Sequence, residues 1–390
     1  MTLILTLLAW ATTFLGLLGG FYALLGAVTV SRFFTRRSHG GPPAHEGESI
    51  RSGFPPVSLL KPLAGAEPGL RESLESFCCQ DYAGPIQIVF GVLDPADPAI
   101  GVVRALQAAH PSLDISLVID ATLDGVNLKI CNLIHIARQA RYEVLVVSDS
   151  DILVPPHYLS QIVTALAPAG VGVASCLYVG EARHGLWSRL SAMSINYSFL
   201  PNVLIGRNLA LAEPCMGSTI ALTTPVLNEI GGFEAFRDHL ADDYEIGRAA
   251  RALGYHVALP TMLVEHGCDE KSAGDLISHE VRWGRTIRLI DGAGYFGTIV
   301  THGFPLALIG AALLGFSEVS VALVVAILLS RLILKLRVDT VTGTKAGSLW
   351  LVPLRDVLSF GVFLATLTGA SVTWRGHRYR VGPDGFLSHL

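Results

Sequence analysis

Apolar blocks with few or no charges stand at both ends of the 390-residue chain, and a more polar stretch separates them. The first block runs from Met1 to Ser31 without a charged side chain, and Arg32, Arg36 and Arg37 follow at once. A helix of about 20 apolar residues crosses a bilayer, so residues 1–31 predict a transmembrane anchor. A cleaved signal peptide would carry its positive charges before a shorter apolar core. Because basic flanks stay in the cytoplasm, the arginines place the following segment there.

Three further apolar blocks lie in a predicted C-terminal membrane region, residues 295–374, which therefore holds two or three membrane segments. The blocks are residues 295–317, 319–334 and 357–374. The first two predict crossings. The third is compatible with a fourth crossing, which would carry the basic tail, residues 375–390, outside. It is also compatible with a re-entrant or interfacial element that begins near Pro353 and keeps the tail in the cytoplasm.

A polar linker, residues 32–54, leads into a predicted soluble domain, residues 55–294, where β-branched runs alternate with amphipathic segments. The predicted strands are Val57–Leu63, Ile86–Asp94, Ile115–Asp120 and Glu143–Asp149, and the predicted helices are Leu70–Gln80, Pro98–His110 and Asn127–Arg141. Continuous apolar strands separated by helices indicate a parallel α/β sheet that is covered on both faces. Such a sheet binds ligands at the carboxyl ends of its strands. Within the domain, residues 185–212 predict an interfacial segment.

The composition supports a membrane-bound α/β protein. Hydrophobic residues make up 51% of the chain and charged residues 15%, against roughly 25% charged in soluble domains. The mean hydropathy is +0.50. A net charge of −4 gives no basic field for nucleic acid. The six cysteines include no Cys-x-x-Cys pair, which is typical of a reduced compartment and indicates neither a disulfide framework nor a zinc–thiolate site.

Two carboxylates one residue apart, Asp149 and Asp151, end the last predicted strand. In extended backbone, residues i and i+2 project to the same side, where their charges repel each other unless a cation lies between them. Mg²⁺ and Mn²⁺ prefer such oxygen ligands together with substrate phosphates. Capping of the next turn requires only one carboxylate, so the pair favours a divalent metal site.

Two other acidic pairs can serve either as helix caps or as functional groups. Asp94 and Asp97 follow the second predicted strand, where a carboxylate can accept hydrogen bonds from a base or a ribose, although Asp97 could instead cap a helix. Asp242 and Asp243 precede another helical pattern. Asp242 is the natural cap there, which leaves Asp243 available as a general base if it faces a cleft.

Two basic segments complete the candidate chemistry. Lys129 and Asn132 stand at the predicted start of a helix after a glycine turn, and a lysine at a helix N-terminus suits a diphosphate. The segment from His279 to Trp283 places Arg282 beside an aromatic ring on an amphipathic stretch. Arginine and tryptophan at that position are also compatible with plain membrane anchoring.

The order and spacing of these features resemble the ceramide glucosyltransferase family, which comprises inverting, nucleotide-sugar-dependent enzymes with a GT-A fold. The resemblance covers about residues 5 to 335 and rests on Leu60-Lys61-Pro62-Leu63, Asp94 with Asp97, Gly125–Asn132, Asp149-Ser150-Asp151, Asp242-Asp243 and the segment His279–Trp283. Within the family, the chain looks most like the bacterial hopanoid-biosynthesis glycosyltransferases. The runs Cys215–Ala221, Phe236–Tyr244 and His279–Trp283 suggest that branch.

The resemblance implies a role for each matching residue. Asp94 and Asp97 would contact the nucleotide, Lys129 and Asn132 the uridine diphosphate, Asp149 and Asp151 the divalent metal (Mg or Mn), and Asp243 would be the catalytic base. His279, Arg282 and Trp283 match a Gln/Arg-x-x-Arg-Trp signature that holds the diphosphate and shapes the acceptor side. His279 departs from the usual Gln or Arg, but a histidine still donates a hydrogen bond or attracts phosphate.

The resemblance therefore implies a multi-pass enzyme of a bacterial inner membrane with a cytoplasmic catalytic domain. It would move one sugar from UDP-N-acetylglucosamine or UDP-glucose to a lipid hydroxyl, with a hopanoid polyol such as bacteriohopanetetrol as the expected acceptor and ceramide as the alternative. A processive polysaccharide synthase shares the acidic motifs, yet three or four apolar blocks are too few for a channel. A catalytically silent lipid-binding protein is the rival from a different class.

Overall fold

The computed structural model describes residues 3–35, 54–369, 371–374, 377–382 and 385–389, so most of the predicted linker, residues 36–53, lies outside them. The helices are α1 (Leu3–Thr35), α2 (Leu70–Cys78), α3 (Ala99–Ala109), α4 (Leu128–Ala137), α5 (Tyr158–Leu166), α6 (Leu186–Ser194), α7 (Leu200–Asn208), α8 (Thr224–Glu229), α9 (Asp242–Ala252), α10 (Ala273–Ile290), α11 (Gly292–Gly297), α12 (Gly303–Leu313), α13 (Glu318–Thr342) and α14 (Leu351–Thr366). The strands are β1 (Val57–Pro62), β2 (Ile86–Val92), β3 (Asp114–Ile119), β4 (Val144–Val147), β5 (Ile152–Leu153), β6 (Val171–Ser175), β7 (Leu177–Ala182), β8 (Ile220–Thr223), β9 (His256–Ala258), β10 (Leu263–Cys268), β11 (Ser371–Trp374), β12 (His377–Val381) and β13 (Leu387–His389).

The chain divides into two compact units. The sheet unit comprises residues 41–179, 213–267 and 385–390, and the membrane unit comprises residues 1–40, 180–212 and 268–384. This division differs from the predicted single domain over residues 55–294. Residues 180–212 and 268–294 group with the apolar helices because α7 packs on α1 and α10 packs on α14.

The sheet unit is built on a seven-stranded sheet in the order β3-β2-β1-β4-β8-β6-β9. The four predicted strands are its parallel half, in which β1 pairs with both β2 and β4, and β2 pairs with β3. The predicted parallel pairing of these four strands is confirmed, and the sheet continues with β8, which the sequence did not predict and which pairs antiparallel with β4 and with β6. The α/β class is confirmed, and the carboxyl ends of β1 to β4 share one edge.

Both faces of this sheet are covered, as the continuous apolar strands predict. Leu59 of β1 packs with residues of α2, α3 and α5 on one face. Its neighbour Leu60 packs with residues of α4 and α9 on the other face, because consecutive strand residues project to opposite sides. The two layers of helices hold the strand ends, and hence the candidate site, in a fixed register.

The membrane unit contains three helices that are long and apolar enough to span a bilayer, namely Leu3–Thr35, Gly292–Leu313 and Glu318–Thr342. They contain the predicted anchor and the first two C-terminal blocks. The third block contributes to α14, whose 16 residues are about 24 Å long at 1.5 Å per residue, less than the roughly 30 Å of a hydrocarbon core. The short helix favours the re-entrant or interfacial alternative. Within the predicted basic tail, β12 (His377–Val381) pairs antiparallel with β11, which the sequence did not predict.

Two oppositely charged side chains inside the membrane unit are paired with each other. Arg331 of α13 donates two hydrogen bonds to Asp356 of α14, from Nε over 2.9 Å and from a terminal nitrogen over 2.8 Å. Both side chains are buried. Since an unpaired charge in an apolar environment is costly, this pair explains how the apolar block tolerates Arg331. The predicted interfacial segment, residues 185–212, is helical: a π-helical turn, Ile195–Phe199, separates α6 from α7.

Candidate active site

The two carboxylates predicted to bind a metal lie in the turn beyond β4 rather than on the strand. β4 ends at Val147, and β5 begins at Ile152, so Asp149 and Asp151 occupy the short connection. The expectation that both lie on one extended strand is therefore wrong, since Asp149 follows the end of β4 by two residues and Asp151 by four. The pKa of Asp149 is raised, first by its removal from water and then by the Asp151 carboxylate, although Lys129 opposes both effects.

Asp151 keeps one carboxylate oxygen available. Its Oδ1 is buried and has no hydrogen-bond partner among the described residues, while its Oδ2 lies 3.4 Å from Nδ1 of His266 on β10. Burial alone would raise the pKa of Asp151, but the His266 ring and the Lys61 ammonium lower it to about 2. Within the part of the chain that the structure describes, no group of three or more His, Cys, Asp and Glu residues is arranged to hold a metal. The predicted metal ligands are therefore a pair of carboxylates, Asp149 and Asp151, rather than a larger cluster.

Lys129 is the centre of the cluster. Asn127 begins α4 by accepting hydrogen bonds from the backbone N–H groups of Lys129 and Ile130, which confirms the predicted helix start. The Lys129 Nζ lies 2.8 Å from Asp149 Oδ1 and 3.0 Å from Asp242 Oδ2. Burial alone would lower the pKa of Lys129, but the surrounding carboxylates outweigh it and raise that pKa. The lysine is therefore a fixed positive charge at the carboxyl edge of the sheet.

Asp242 does not cap its helix, contrary to expectation. α9 begins at Asp242 without a side-chain cap, and the carboxylate points to α4 instead. Its Oδ1 accepts from Asn127 Nδ2 at 3.3 Å, and its Oδ2 pairs with Lys129. A sequence pattern identifies a possible cap but does not show that a buried cation lies nearby.

Asp243 is held by backbone donors. Its Oδ2 accepts from the Gly217 N–H over 2.8 Å, and its Oδ1 accepts from its neighbour Tyr244 over 2.8 Å. Burial and the Asp242 carboxylate raise the pKa of Asp243 to about 6, although Lys129 and the two backbone donors oppose the shift. Such a carboxylate is ionised at pH 7 yet more basic than an ordinary aspartate, which suits a general base.

Gly217 connects the candidate base, Asp243, to the turn between β4 and β5 that holds Asp149 and Asp151. Besides donating to Asp243, its peptide accepts a hydrogen bond from the Asp149 N–H through its carbonyl, at 3.3 Å. A Cβ at this position would lie 2.7 Å from Asp149 Oδ2 and 3.1 Å from Lys129 Nζ. A larger residue there would displace the Asp149 carboxylate from its present position, and the Cys215–Ala221 run contains this glycine.

Lys61 is a functional candidate that the sequence analysis left unassigned. It is the last residue but one of the buried strand β1, is wholly buried, and places its Nζ 3.8 Å from the centre of the Phe77 ring. The same Nζ donates to the backbone carbonyl of Asp149 over 2.5 Å. Burial lowers the pKa of Lys61 to about 7, although Asp149 and Asp151 oppose the shift. A lysine within an apolar strand is the signal that could have identified it.

Three residues predicted to bind the nucleotide, Asp94, Asp97 and Asn132, lie beside or contact the carboxyl ends of β1 and β2. Asp97 accepts hydrogen bonds from the N–H groups of Gly65 and Ala99, so it joins the loop after β1 to the start of α3. Asp94 is exposed, and its Oδ1 accepts a hydrogen bond from the backbone N–H of Ala96, which stabilises the turn after β2. Asn132 is buried and donates to the carbonyls of Leu63 and Gly91 at these strand ends.

The last predicted site residues belong to the membrane unit. His279 on α10 bonds through Nδ1 to Glu270 Oε1 at 2.7 Å, and Ser191 donates to the same oxygen over 2.9 Å. The His279 and Trp283 rings meet edge to face with their centres 4.5 Å apart. Arg282 lies between these two residues in the sequence, on the same helix. The segment is thus a preorganised polar and aromatic cluster whose histidine orientation is set by Glu270.

Comparison with known proteins identifies a family. The family model described as glycosyl transferase family 21 matches residues 11–387. Ceramide glucosyltransferase 1 of Caenorhabditis elegans is 29% identical over 238 residues, which are 60% of this chain and 50% of that protein. The ceramide glucosyltransferase of Candida albicans is 31% identical over 140 residues, which are 33% of this chain and 25% of that protein. The chain matches half or less of the length of these curated relatives.

A solved structure supports the same conclusion for the fold. The mannosyltransferase PcManGT from Pyrobaculum calidifontis, in complex with GDP-Man and Mn²⁺, aligns with 93% of this chain and 99% of its own, with a TM-score of 0.56 and 20% identity. The predicted GT-A fold with apolar helices at the N-terminus and in the C-terminal region is confirmed. Because the family model matches nearly the whole sequence, the chain belongs to glycosyl transferase family 21.

Proposed function

We propose that this enzyme transfers one sugar from a UDP-sugar, UDP-N-acetylglucosamine or UDP-glucose, to a hydroxyl of a membrane lipid with inversion at the anomeric carbon. The observation that carries the proposal is the position of Lys129, which joins Asp149 in the turn after β4 to the start of the helix that bears Asp242 and Asp243. A metal pair, a cation for a diphosphate and a candidate base thereby form one cluster.

Asp149 and Asp151 are the residues that would hold a divalent ion, Mg²⁺ or Mn²⁺. The free, buried Oδ1 of Asp151 fits such an ion, because both metals prefer carboxylate oxygens. The related fold of PcManGT was solved with GDP-Man and Mn²⁺. When bound, the ion would offset negative charge on the departing diphosphate.

The donor would lie along the carboxyl edge of the sheet. Lys129 supplies a positive charge for the diphosphate, and Asp94 and Asp97 are proposed to contact the nucleotide. Because the amide of Asn132 is committed to two strand-end carbonyls, we assign it to positioning these loops rather than to direct contact. His279, Arg282 and Trp283 stay predicted ligands of the diphosphate and of the acceptor side.

Asp243 is the proposed base of a single displacement. Its carboxylate takes the proton of the lipid hydroxyl while that oxygen forms a bond to the anomeric carbon. The bond from the anomeric carbon to the UDP oxygen breaks at the same time, and UDP leaves with the bonding electrons. The two backbone donors fix the Asp243 carboxylate, so little reorganisation accompanies proton transfer. An α-linked donor would give a β-linked glycolipid.

The acceptor is proposed to be a lipid because three helices of the chain are candidate membrane spans. The three sequence runs that resemble the hopanoid branch favour a hopanoid polyol, such as bacteriohopanetetrol. The curated relatives favour a second candidate, ceramide, since they are named ceramide glucosyltransferases. Both molecules present a hydroxyl at the level of the head groups.

A product assay tests the function. The purified full chain in liposomes receives each radiolabelled UDP-sugar together with either bacteriohopanetetrol or ceramide, and the lipid products are separated and identified by mass spectrometry. We expect a single monoglycosylated lipid from the hopanoid polyol, and about 10²–10⁴-fold slower formation of it by the Asp243→Asn variant. Product from ceramide alone would select the second candidate. A ladder of polymers would instead identify a processive synthase, and no transfer from either donor would overturn the proposal.

The sheet unit is proposed to lie on the cytoplasmic side of a bacterial inner membrane, because nucleotide sugars are made in the cytoplasm. Cys79 reports this orientation, because it is an exposed thiol of the sheet unit. We expect an impermeant maleimide to leave Cys79 unlabelled in spheroplasts and to label it after permeabilisation. The Cys79→Ser variant measures labelling of the other thiols. Equal labelling of Cys79 before and after permeabilisation would contradict the orientation.

A further inference from the structure

The Lys129 ammonium is shared between two carboxylates whose access to solvent differs. It lies 2.8 Å from Asp149 Oδ1 and 3.0 Å from Asp242 Oδ2. The Asp149 side chain is 37% exposed, whereas the Asp242 side chain is 8% exposed. A dissolved cation can therefore reach Asp149, while Asp242 is closed to it.

The buried partner is also the more firmly held. Asp242 accepts a second hydrogen bond from Asn127 Nδ2, and Asn127 is itself fixed because it caps α4 and donates to the His239 carbonyl. The helix-capping role that would otherwise explain Asp242 is absent. Its carboxylate is thus placed to hold the ammonium of Lys129 and is not needed for the helix.

We propose that Lys129 is the internal counterion of Asp149 in the donor-free protein, and that Asp242 is a positioning residue that keeps this ammonium in place when a divalent ion takes Asp149. The inference rests on the proposed function, in which Asp149 is a metal ligand. The ammonium and the ion compete for one carboxylate and repel each other at short range. The donor-free site therefore binds the metal weakly, and the diphosphate, which attracts both cations, favours their joint presence.

Substitutions at the two partners should change metal affinity in opposite directions. In Lys129→Met the competitor is gone, so the donor-free protein should bind Mn²⁺ about tenfold or more tightly. In Asp242→Asn the ammonium has Asp149 as its remaining carboxylate partner, so Mn²⁺ should bind more weakly. Each single substitution also changes the net charge of the site. That change alone would likewise tighten Mn²⁺ binding in Lys129→Met and weaken it in Asp242→Asn.

The double variant Lys129→Met/Asp242→Asn separates the two explanations, because it removes one positive and one negative charge. If only the net charge of the site mattered, the affinity for Mn²⁺ would stay unchanged. If Asp149 is released from its counterion, Mn²⁺ should bind more tightly than in the wild type. It also avoids leaving Asp242 buried without a cation, which protects the fold. The matched control is Arg141→Met/Asp114→Asn, which removes an ion pair of 2.7 Å from the surface of the same unit.

The experiment titrates Mn²⁺ into the full chain without nucleotide and follows free Mn²⁺ by electron paramagnetic resonance, with circular dichroism to verify folding. Tighter binding in the double variant and an unchanged affinity in the control would support the proposal. An affinity at or below the wild-type value in the folded double variant would overturn it. The Asp151→Asn variant tests separately whether the metal site of the proposed function exists. If this variant binds Mn²⁺ as tightly as the wild type does, the proposed metal site itself is wrong.

Discussion

Asp243→Asn is expected to lower the turnover number by about 10²–10⁴, or about 3–5 kcal/mol of activation free energy. The variant keeps the shape of the side chain but cannot accept the proton of the acceptor hydroxyl. Affinity for the UDP-sugar should stay near that of the wild type, because Asp149, Asp151 and Lys129 remain. Steady-state kinetics together with calorimetric titration of the donor measure both quantities.

The structure adds a secondary effect to this prediction. Both carboxylate oxygens of Asp243 accept a backbone N–H, whereas an asparagine offers one oxygen and one amide group. One N–H therefore loses its acceptor, which costs about 1–3 kcal/mol of folding stability. A thermal melt of the variant shows whether the loss of activity reflects unfolding, and the kinetic comparison is made well below the melting temperature.

The pH dependence provides a second readout of the same base. Because the pKa of Asp243 is raised to about 6, the wild-type rate should fall as the pH drops through about 6 and the carboxylate becomes protonated. The residual activity of Asp243→Asn should lack this acidic limb. An unchanged acidic limb in the variant would show that another group is the base.

Asp242→Asn should behave differently, although not for the reason that the sequence suggests. A cap could be replaced by asparagine at little cost, but the Asp242 carboxylate pairs with Lys129 instead. We therefore expect a higher KM for the UDP-sugar and an acidic limb like that of the wild type. If Asp242→Asn removed the limb and Asp243→Asn kept it, the two assignments would have to be exchanged.

Asp149→Ala and Asp151→Ala are each expected to abolish metal-dependent donor binding while the fold remains intact. Losing an outer partner of a metal ligand costs about 10–100-fold in affinity, and losing a ligand should cost more. Calorimetric titration of the UDP-sugar with Mn²⁺ and with a chelator measures the metal-dependent part. Asp114→Asn, a change at an exposed ion pair, is the matched control.

The two variants should not be equally stable. Asp149→Ala leaves Lys129 with the Asp242 carboxylate, so the lysine stays paired. Asp151→Ala removes a carboxylate that His266 and Lys61 stabilise in its ionised form, so this variant should lose more stability than Asp149→Ala, although it should still fold. Unchanged donor affinity in Mn²⁺ for both folded variants would refute the metal site.

Much of the parallel half of the sheet could be predicted from sequence, because strands buried on both faces must be apolar at every position. The runs that contain Leu59, Leu60 and Val146 therefore identify β1 and β4, and the rule for carboxyl strand ends locates Asp149 and Lys129 at one edge. The antiparallel β8 could not be predicted, since its four residues pair with segments far away in the chain. Local patterns carry no record of such partners.

The sequence by itself determined the membrane anchor, the α/β class and the residue types of the site, because burial and charge density act on each segment locally. Only the tertiary structure decided what each charged group does. In the structure, Asp242 pairs with Lys129 instead of capping a helix. The buried Lys61 donates to the backbone carbonyl of Asp149, and His266 lies beside Asp151. The physical reason is that the effect of a charge depends on its partners within a few ångströms, and folding brings these partners together from distant parts of the chain.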